Sequence, residues 1–171
     1  MPLLAALLVL VAGDCASTFL YHVPQHAWFS LHLRTHHDRR RSYLDHAVLS
    51  LDPWVLLDGL LGAVPYLAVA AVAARLSWEG ALAGLALGQV HVWWRHTSQI
   101  GWKTPAGLAV ALRQFYVVLP EDHDKHHRNP QVEFGDIFRF YDAPARALLA
   151  RLVKGKRKGP SLRGAHGAPS L

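Results

Sequence analysis

The sequence predicts an all-α protein, folded as an integral-membrane helical bundle of about three to four spans with a histidine-cage cap on the cytoplasmic side. Two observations lead to this prediction. The 171-residue chain is 51% hydrophobic and only 18% charged, and it contains long apolar runs. It also contains 12 histidines, most of them near the ends of those runs. A bilayer core of ~30 Å is crossed by about 20 helical residues, and the first two runs reach that length.

The apolar runs are residues 2–21 and 54–74, each with a single charged residue, Asp14 and Asp58 respectively. A third run, residues 80–94, has no charge but is shorter. Buried helices of a soluble protein would also be apolar, so that alternative stays open. The many small residues between positions 60 and 87 suit helix contacts in lipid and favour the membrane interpretation.

The basic residues predict the orientation, because cytoplasmic loops are enriched in Lys and Arg. The loop after the second run has only Arg75, which Glu79 offsets. The segment after the first run and the segment from residue 95 onward are both rich in basic residues. We therefore expect a multi-pass protein with an outside N-terminus and with the site and the C-terminus in the cytoplasm. The arginines of the first segment are Arg34, Arg39, Arg40 and Arg41.

The expected domain organisation is one membrane-embedded domain, residues 1–152, followed by a disordered basic tail, residues 153–171. The tail is rich in Lys, Arg, Gly and Pro and has no periodic apolar face. Such a segment next to a membrane domain suits an anionic lipid surface. We expect no nucleic-acid partner.

Ten histidines fall into four clusters, and most of their spacings match one face of a helix, on which residues i, i+3 and i+4 lie together. His91 and His96 are the exception, because side chains five residues apart on a straight helix point in directions about 140° apart. Their convergence would need a bulge or a helix end. The expected metal ligands are His22, His26, His32, His36, His37, His91, His96, His123, His126 and His127.

Neutral imidazoles suit iron, zinc, copper or nickel. The single cysteine, Cys15, excludes a cysteine-based zinc finger and a disulfide framework. Ten imidazoles are too many for one ion and suitable for two, so two iron ions are the first interpretation and two zinc ions the second. Metal-bound histidines are commonly oriented by a neighbouring carboxylate. The candidates for that role are Asp14, Asp122 and Asp142, together with His46, which is either a ligand or a neighbour of one.

The motifs H-x-x-x-H, H-x-x-x-H-H, H-x-x-x-x-H and H-x-x-H-H occur in that order. In this they resemble the fatty acid hydroxylase / sterol desaturase superfamily. The last motif is the most specific, since Pro120 precedes it and Asn129-Pro130, Phe134-Gly135 and Tyr141-Asp142 follow it, as in the family pattern. The resemblance covers about residues 14–146. Short bacterial carotenoid hydroxylases are a similar branch.

The resemblance implies a membrane-bound, non-haem di-iron oxygenase that hydroxylates or desaturates an unactivated C–H bond of a lipid. The lipid could be fatty acyl, sterol-like or a carotenoid. The oxidant is dioxygen, and two electrons come from outside. The chain has no flavin, nicotinamide or iron–sulfur motif, and we expect no haem. The donor is then a ferredoxin or a small cytochrome with its reductase.

A different class of function stays open: a histidine-rich membrane protein that binds or transports metal without oxidising anything, or a catalytically inactive family member. A transporter would place its ligands along a path through the membrane. The histidines here cluster at one end of the apolar runs, which favours the enzyme.

Overall fold

The computed structural model describes residues 1–157, and their secondary structure is helical apart from one isolated antiparallel bridge between Val117 and Phe138. The all-α prediction is confirmed for these residues. Two short 3₁₀ segments, Thr97–Ile100 and Arg139–Tyr141, lie between helices. The helices are α1 (Pro2–Ser17), α2 (Val23–Ala27), α3 (Leu31–Thr35), α4 (Tyr43–His46), α5 (Pro53–Ala73), α6 (Trp78–Arg95), α7 (Ala106–Gln114), α8 (Pro120–Arg128) and α9 (Asp142–Arg157).

A π-helical turn, Thr18–His22, joins α1 to α2 in one continuous helix, Pro2–Ala27. Pro24 has no N–H, and its ring would clash with the carbonyl four residues earlier in a regular α-helix. The π turn relieves this, because the N–H of Val23 bonds to the carbonyl of Thr18, five residues back. The helix therefore continues past Pro24, and the rings of His22 and His26 lie 5.1 Å apart.

Helices α1, α5 and α6 form the central bundle, and α1 packs against both of the others. A short turn joins α5 to α6, and the Ser77 hydroxyl caps α6 by accepting from the N–H of Gly80. Small side chains let the helices approach closely at this end, where a Cβ on Gly80 would collide with the backbone of Pro2. The core there consists of Ala5, Val9, Ala70, Ala73 and Ala81.

Two helices are long and apolar enough to cross a membrane, Pro2–Ala27 and Pro53–Ala73, with mean hydropathies of 2.1 and 2.0. A core helix of a soluble protein is mostly buried, whereas the apolar windows of these two are only 39% and 17% buried. Leu3 and Val72 are 74% and 65% exposed. Exposed apolar surface on this scale is typical of a membrane-facing bundle. The third span expected at residues 80–94 forms most of α6, and its crossing of a membrane stays a prediction.

Helices α3, α8 and α9 pack at the end of the bundle where α2 lies. The last helix, α9, contacts α2, and Val23, Phe134 and Ala145 form a small core between them. This helix continues to Arg157, so the first residues of the expected tail, 153–157, are helical. The rest of that tail, with His166, lies outside the described residues.

Candidate metal centre

Nine of the ten histidines expected as ligands come together in two groups. Within each group, one nitrogen from every ring lies within 4.8 Å of the others. The first group is His22, His26, His32, His37 and His126, and the second group is His36, His96, His123 and His127. The two groups are adjacent, since the stacked rings of His32 and His36 have centroids 4.6 Å apart.

Helix α8 contributes to both groups, and its H-x-x-H-H spacing explains how. His123 and His127 are one turn apart and both join the second group, while His126 points to the first. The helix begins with Pro120 at its first position and has Glu121 and Asp122 in its first turn, which is favourable at the positive end of the helix dipole. The polar helix α8 thus links the two groups, as does the segment that carries His32, His36 and His37.

Carbonyl and carboxylate oxygens fix the tautomers of five rings. An oxygen of this kind accepts a hydrogen bond from Nδ1–H, which leaves the lone pair on Nε2. The Nδ1···O distances are 2.9 Å for His22 to Phe134, 2.6 Å for His126 to Val132, 2.6 Å for His96 to Val92, 3.1 Å for His32 to Asp58 and 2.8 Å for His46 to Ser42.

Unprotonated nitrogens therefore face each other in the first group. The Nε2 atoms of His22 and His126 are 2.9 Å apart in the first group, although both rings hold their proton on Nδ1. Two lone pairs at this distance repel one another unless a cation lies between them. In the second group, the unprotonated Nε2 of His96 lies 2.9 Å from Nε2 of His123. This arrangement fits residues that share a metal ion.

Burial keeps these imidazoles neutral. It lowers the pKa of His126 to about 3, and it lowers the pKa of His36, His123 and His127 well below the usual value for histidine. Neighbouring histidines and Arg95 add to the effect, because a positive charge nearby disfavours a second one. Since metals bind the neutral ring, these four histidines are in the ligating form at neutral pH. An all-imidazole donor set suits iron, zinc, copper or nickel.

His46 fits as a further donor to the second group. Its ring lies 4.9 Å from that of His127 and 5.7 Å from that of His36. Its Nε2 is buried and has no hydrogen-bond partner among the described residues. The Ser42–Asp45 capping box orders the short helix that carries His46, so the ring is held in place from its Nδ1 side.

His91 is not brought to either group, which corrects the expectation that it converges with His96. Helix α6 is regular up to Arg95, with no bulge between the two residues. A separation of five residues therefore leaves the two side chains on different faces. The ring of His91 packs against Trp94, with centroids 5.3 Å apart.

Within residues 1–157, none of the carboxylates expected to orient imidazoles forms a hydrogen bond to one. Asp14 accepts hydrogen bonds from the backbone N–H groups of Asp136, Ile137 and Phe138, and so anchors the 136–138 loop. Asp122 pairs with Lys125 at 2.8 Å.

Asp142 acts one step away from an imidazole. It accepts from the N–H of Phe134, and the carbonyl of Phe134 accepts from His22. The expectation that Asp14 and Asp122 orient imidazoles is thus corrected. Asp142 reaches His22 only indirectly, through the backbone of Phe134.

The carboxylates that do approach the histidines are Asp58 and Asp136. Asp58 accepts from Nδ1 of His32, from the Thr35 hydroxyl at 2.8 Å and from the Tyr21 hydroxyl. An oxygen of Asp136 lies 3.7 Å from Nδ1 of His22. A signal for Asp58 was present in the sequence, because a lone carboxylate in a membrane-length apolar run is costly unless it has partners. Asp136 gave no comparable signal.

A cavity of about 420 Å³ lies beside the two groups, between α1, α5 and α6. This volume is within the usual range of ligand pockets, about 300–1,000 Å³. His22, His32 and His36 line one end, and the rest of the wall includes small and apolar residues such as Gly62, Ala63 and Leu85. The cavity can therefore hold an apolar molecule against the histidines.

Comparison with known proteins identifies a family for most of the chain. The family model described as fatty acid hydroxylase matches residues 6–145, which is most of the chain and includes every histidine of both groups. No curated protein and no solved structure gives a significant match.

Proposed function

Since the chain belongs to the fatty acid hydroxylase family, we propose that it is a membrane-bound, non-haem di-iron oxygenase. Its reaction is the hydroxylation or desaturation of an unactivated C–H bond in a lipid, with dioxygen and two external electrons. The observation that supports this most strongly is the pair of adjacent all-histidine groups at the end of an apolar cavity. A binding protein would not need two ion sites facing a space for an apolar molecule.

Two iron ions are the metals that this proposal assigns to the two groups. The imidazole donors suit iron and zinc alike, but zinc has no redox chemistry, and the oxidation of a C–H bond requires a redox-active centre. When bound, the iron pair would supply the activation of dioxygen. The first group would hold one ion and the second group the other.

The residues around the groups orient the ligands and shape the site. The carbonyls of Phe134, Val92 and Val132 hold the rings of His22, His96 and His126 by their Nδ1–H groups. The carboxylate of Asp58 accepts from Nδ1–H of His32 in the same way. Its negative charge also raises the basicity of the ligating nitrogen of His32. The apolar wall of the cavity excludes water and places the lipid against the histidines.

We place three helices in the membrane: the continuous helix Pro2–Ala27, α5 and α6. Helix α6 has 18 residues, about 27 Å at 1.5 Å per residue, which approaches the thickness of a bilayer core. Leu82, Leu87 and Val90 on α6 are each more than half exposed. The histidine groups and the C-terminus would face the cytoplasm, because the arginine-rich segment 34–41 lies at their end of the bundle.

The electrons would come from an external donor, a ferredoxin or a small cytochrome with its reductase. Exposed basic side chains lie on a segment that carries ligands, since Arg34 and Arg39 are exposed on either side of His36 and His37. A basic surface steers an acidic protein partner to the site.

The experiment that tests this function is a lipid analysis of host membranes containing the protein, after growth under ¹⁸O₂. We expect an oxidised lipid with wild type, labelled if the reaction is hydroxylation and unsaturated if it is desaturation. His127→Ala should abolish the product and lower the metal content, because it removes a donor from the second group. His166→Ala is the matched control and should keep both the oxidised product and the metal content of wild type.

Two outcomes contradict the proposal. One is full product formation by His127→Ala. The other is a wild-type protein that carries two iron ions, accepts electrons and leaves all host lipids unchanged, which would favour the metal-binding alternative.

A further inference from the structure

Arg95, the last residue of α6, is a buried charge in the wall of the cavity. Only 7% of its surface is exposed, and it lines the cavity together with residues of the histidine groups. A buried guanidinium needs partners for its N–H groups, since removing an unpaired charge from water is costly. The partners present therefore indicate what else the group can bind.

Both hydrogen bonds of Arg95 leave from the same nitrogen. Nη1 donates to the backbone carbonyl of Asp136 at 2.9 Å and to its carboxylate at 2.7 Å. Nη2 donates to none of the described residues, and Nε is buried without an acceptor among them. A guanidinium has five N–H donors in a rigid plane, so Arg95 keeps donor capacity after Asp136 is satisfied.

The cavity has its charged residues at the Arg95 end, and small and apolar residues predominate at the other end, together with Tyr66. Along α6 its wall runs from Arg95 through Val92 and Gly88 to Leu85. This distance of ten residues corresponds to about 15 Å. On α5 the wall begins at Asp58 and ends at Leu67. A long molecule with one polar end would place that end beside Arg95 and the histidines.

The charges in the wall favour an uncharged ligand. Arg95, Asp58 and Asp136 are its charged residues within the described part of the chain, apart from the histidines. Asp136 already neutralises Arg95, and Asp58 is bonded to His32, Thr35 and Tyr21. No side-chain cation is left over for a carboxylate, whereas a free N–H suits a neutral oxygen.

We propose that Arg95 binds a carbonyl or hydroxyl oxygen of the lipid and so determines which lipids enter and how they lie. This inference rests on the proposed function. The carboxylate of Asp136 joins Arg95 to the first group, because its Oδ1 is 2.7 Å from Nη1 of Arg95 and 3.7 Å from Nδ1 of His22. A lipid held by Arg95 is thus oxidised close to its oxygen-bearing end rather than far along its chain.

The test measures binding to zinc-loaded protein in detergent, in which no oxidation takes place. The probes are tritiated hexadecane, 1-hexadecanol, methyl hexadecanoate and hexadecanoate, which share a chain and differ in the oxygen group. A hydrogen bond to a charged group predicts that wild type binds the alcohol and the ester about 10- to 100-fold more tightly than hexadecane. It should also bind them more tightly than hexadecanoate.

Arg95→Met should bind the alcohol and the ester no better than hexadecane, with the binding of hexadecane retained. Since this change leaves Asp136 without its cation, the double variant Arg95→Met/Asp136→Asn removes both charges and should give the same result. The matched control is Arg113→Met, an exposed arginine of α7 with 46% of its side chain accessible, which should keep the wild-type preference.

Equal affinity of wild type for hexadecane and its oxygenated relatives would overturn the proposal, as would a preference that survives both Arg95 variants. Tighter binding of hexadecanoate would overturn the choice of a neutral oxygen. Because the probes are not oxidised, these results are independent of whether the iron-loaded protein oxidises a lipid, and a failure of the proposed function is separately visible.

Discussion

Replacing Asp58 by Asn tests whether a carboxylate inside an apolar helix positions a metal ligand. In the native protein its two oxygens accept from Nδ1 of His32 at 3.1 Å, from Thr35 at 2.8 Å and from Tyr21. An amide of the same shape has only one accepting oxygen and carries no charge. At least one of the three donors therefore loses its acceptor, and His32 loses its anionic partner.

The size of the effect follows from the type of bond. A hydrogen bond to a charged group contributes about 1.5–3 kcal/mol, which corresponds to about 10- to 100-fold in an equilibrium constant. Loss of a hydrogen-bonding partner from a metal-bound histidine lowers metal affinity by about the same factor. We expect that loss for the ion held by the first group, which contains His32, and a smaller change at the second.

Metal affinity is measured by competition with a chelator of known strength. Asp52→Asn is the matched control: it is on the same helix, where Asp52 caps the first turn and pairs with Arg41 at 2.8 Å, away from the histidines. It should leave the affinity of both sites unchanged. Unaltered metal affinity in Asp58→Asn, or the same loss in both variants, would refute the positioning role.

Three further results are expected. His91→Leu should keep the full metal content by mass spectrometry, because its ring lies outside both groups; a lost ion would show that it is a ligand. Ala86→Phe should fill part of the cavity and reduce lipid binding with the metals retained, whereas Leu82→Phe on an exposed position of the same helix should bind lipid normally. Acidification below about pH 6.5 should lower the melting temperature of the metal-free protein, because burial lowers the pKa of His126 to about 3 in the fold and the unfolded chain takes up the proton first; a melting temperature that stays constant from pH 7 to pH 5 would contradict this.

The helical class and the convergence of nine of the ten histidines expected as ligands were predictable from the sequence. Spacings of three and four residues fix which side chains share a helix face, and this is enough to bring His123 and His127 together. The same geometry argues against convergence of His91 with His96, because the two are five residues apart on a regular helix. The apolar runs also predicted the two membrane-length helices, because length and composition alone decide that property.

The partners of the ligands could not be predicted, because they depend on contacts between residues far apart in the chain. Asp14 is on the same helix face as His22 in a regular helix, but its carboxylate binds the 136–138 loop, more than 120 residues away. Asp58 reaches His32 because α5 packs against α3. The π turn before Pro24 was likewise not predictable, since a proline in a helix can also produce a kink.

The number of metal ions per chain tests the central claim most directly. Protein reconstituted anaerobically with iron is freed of excess metal, and the iron-to-protein ratio is measured by mass spectrometry for wild type, His26→Ala and His127→Ala. Two sites built from separate groups predict a ratio of two for wild type and a ratio near one for each variant, because each variant damages a different group. A wild-type ratio of one, or variants that both retain two ions, would contradict the account.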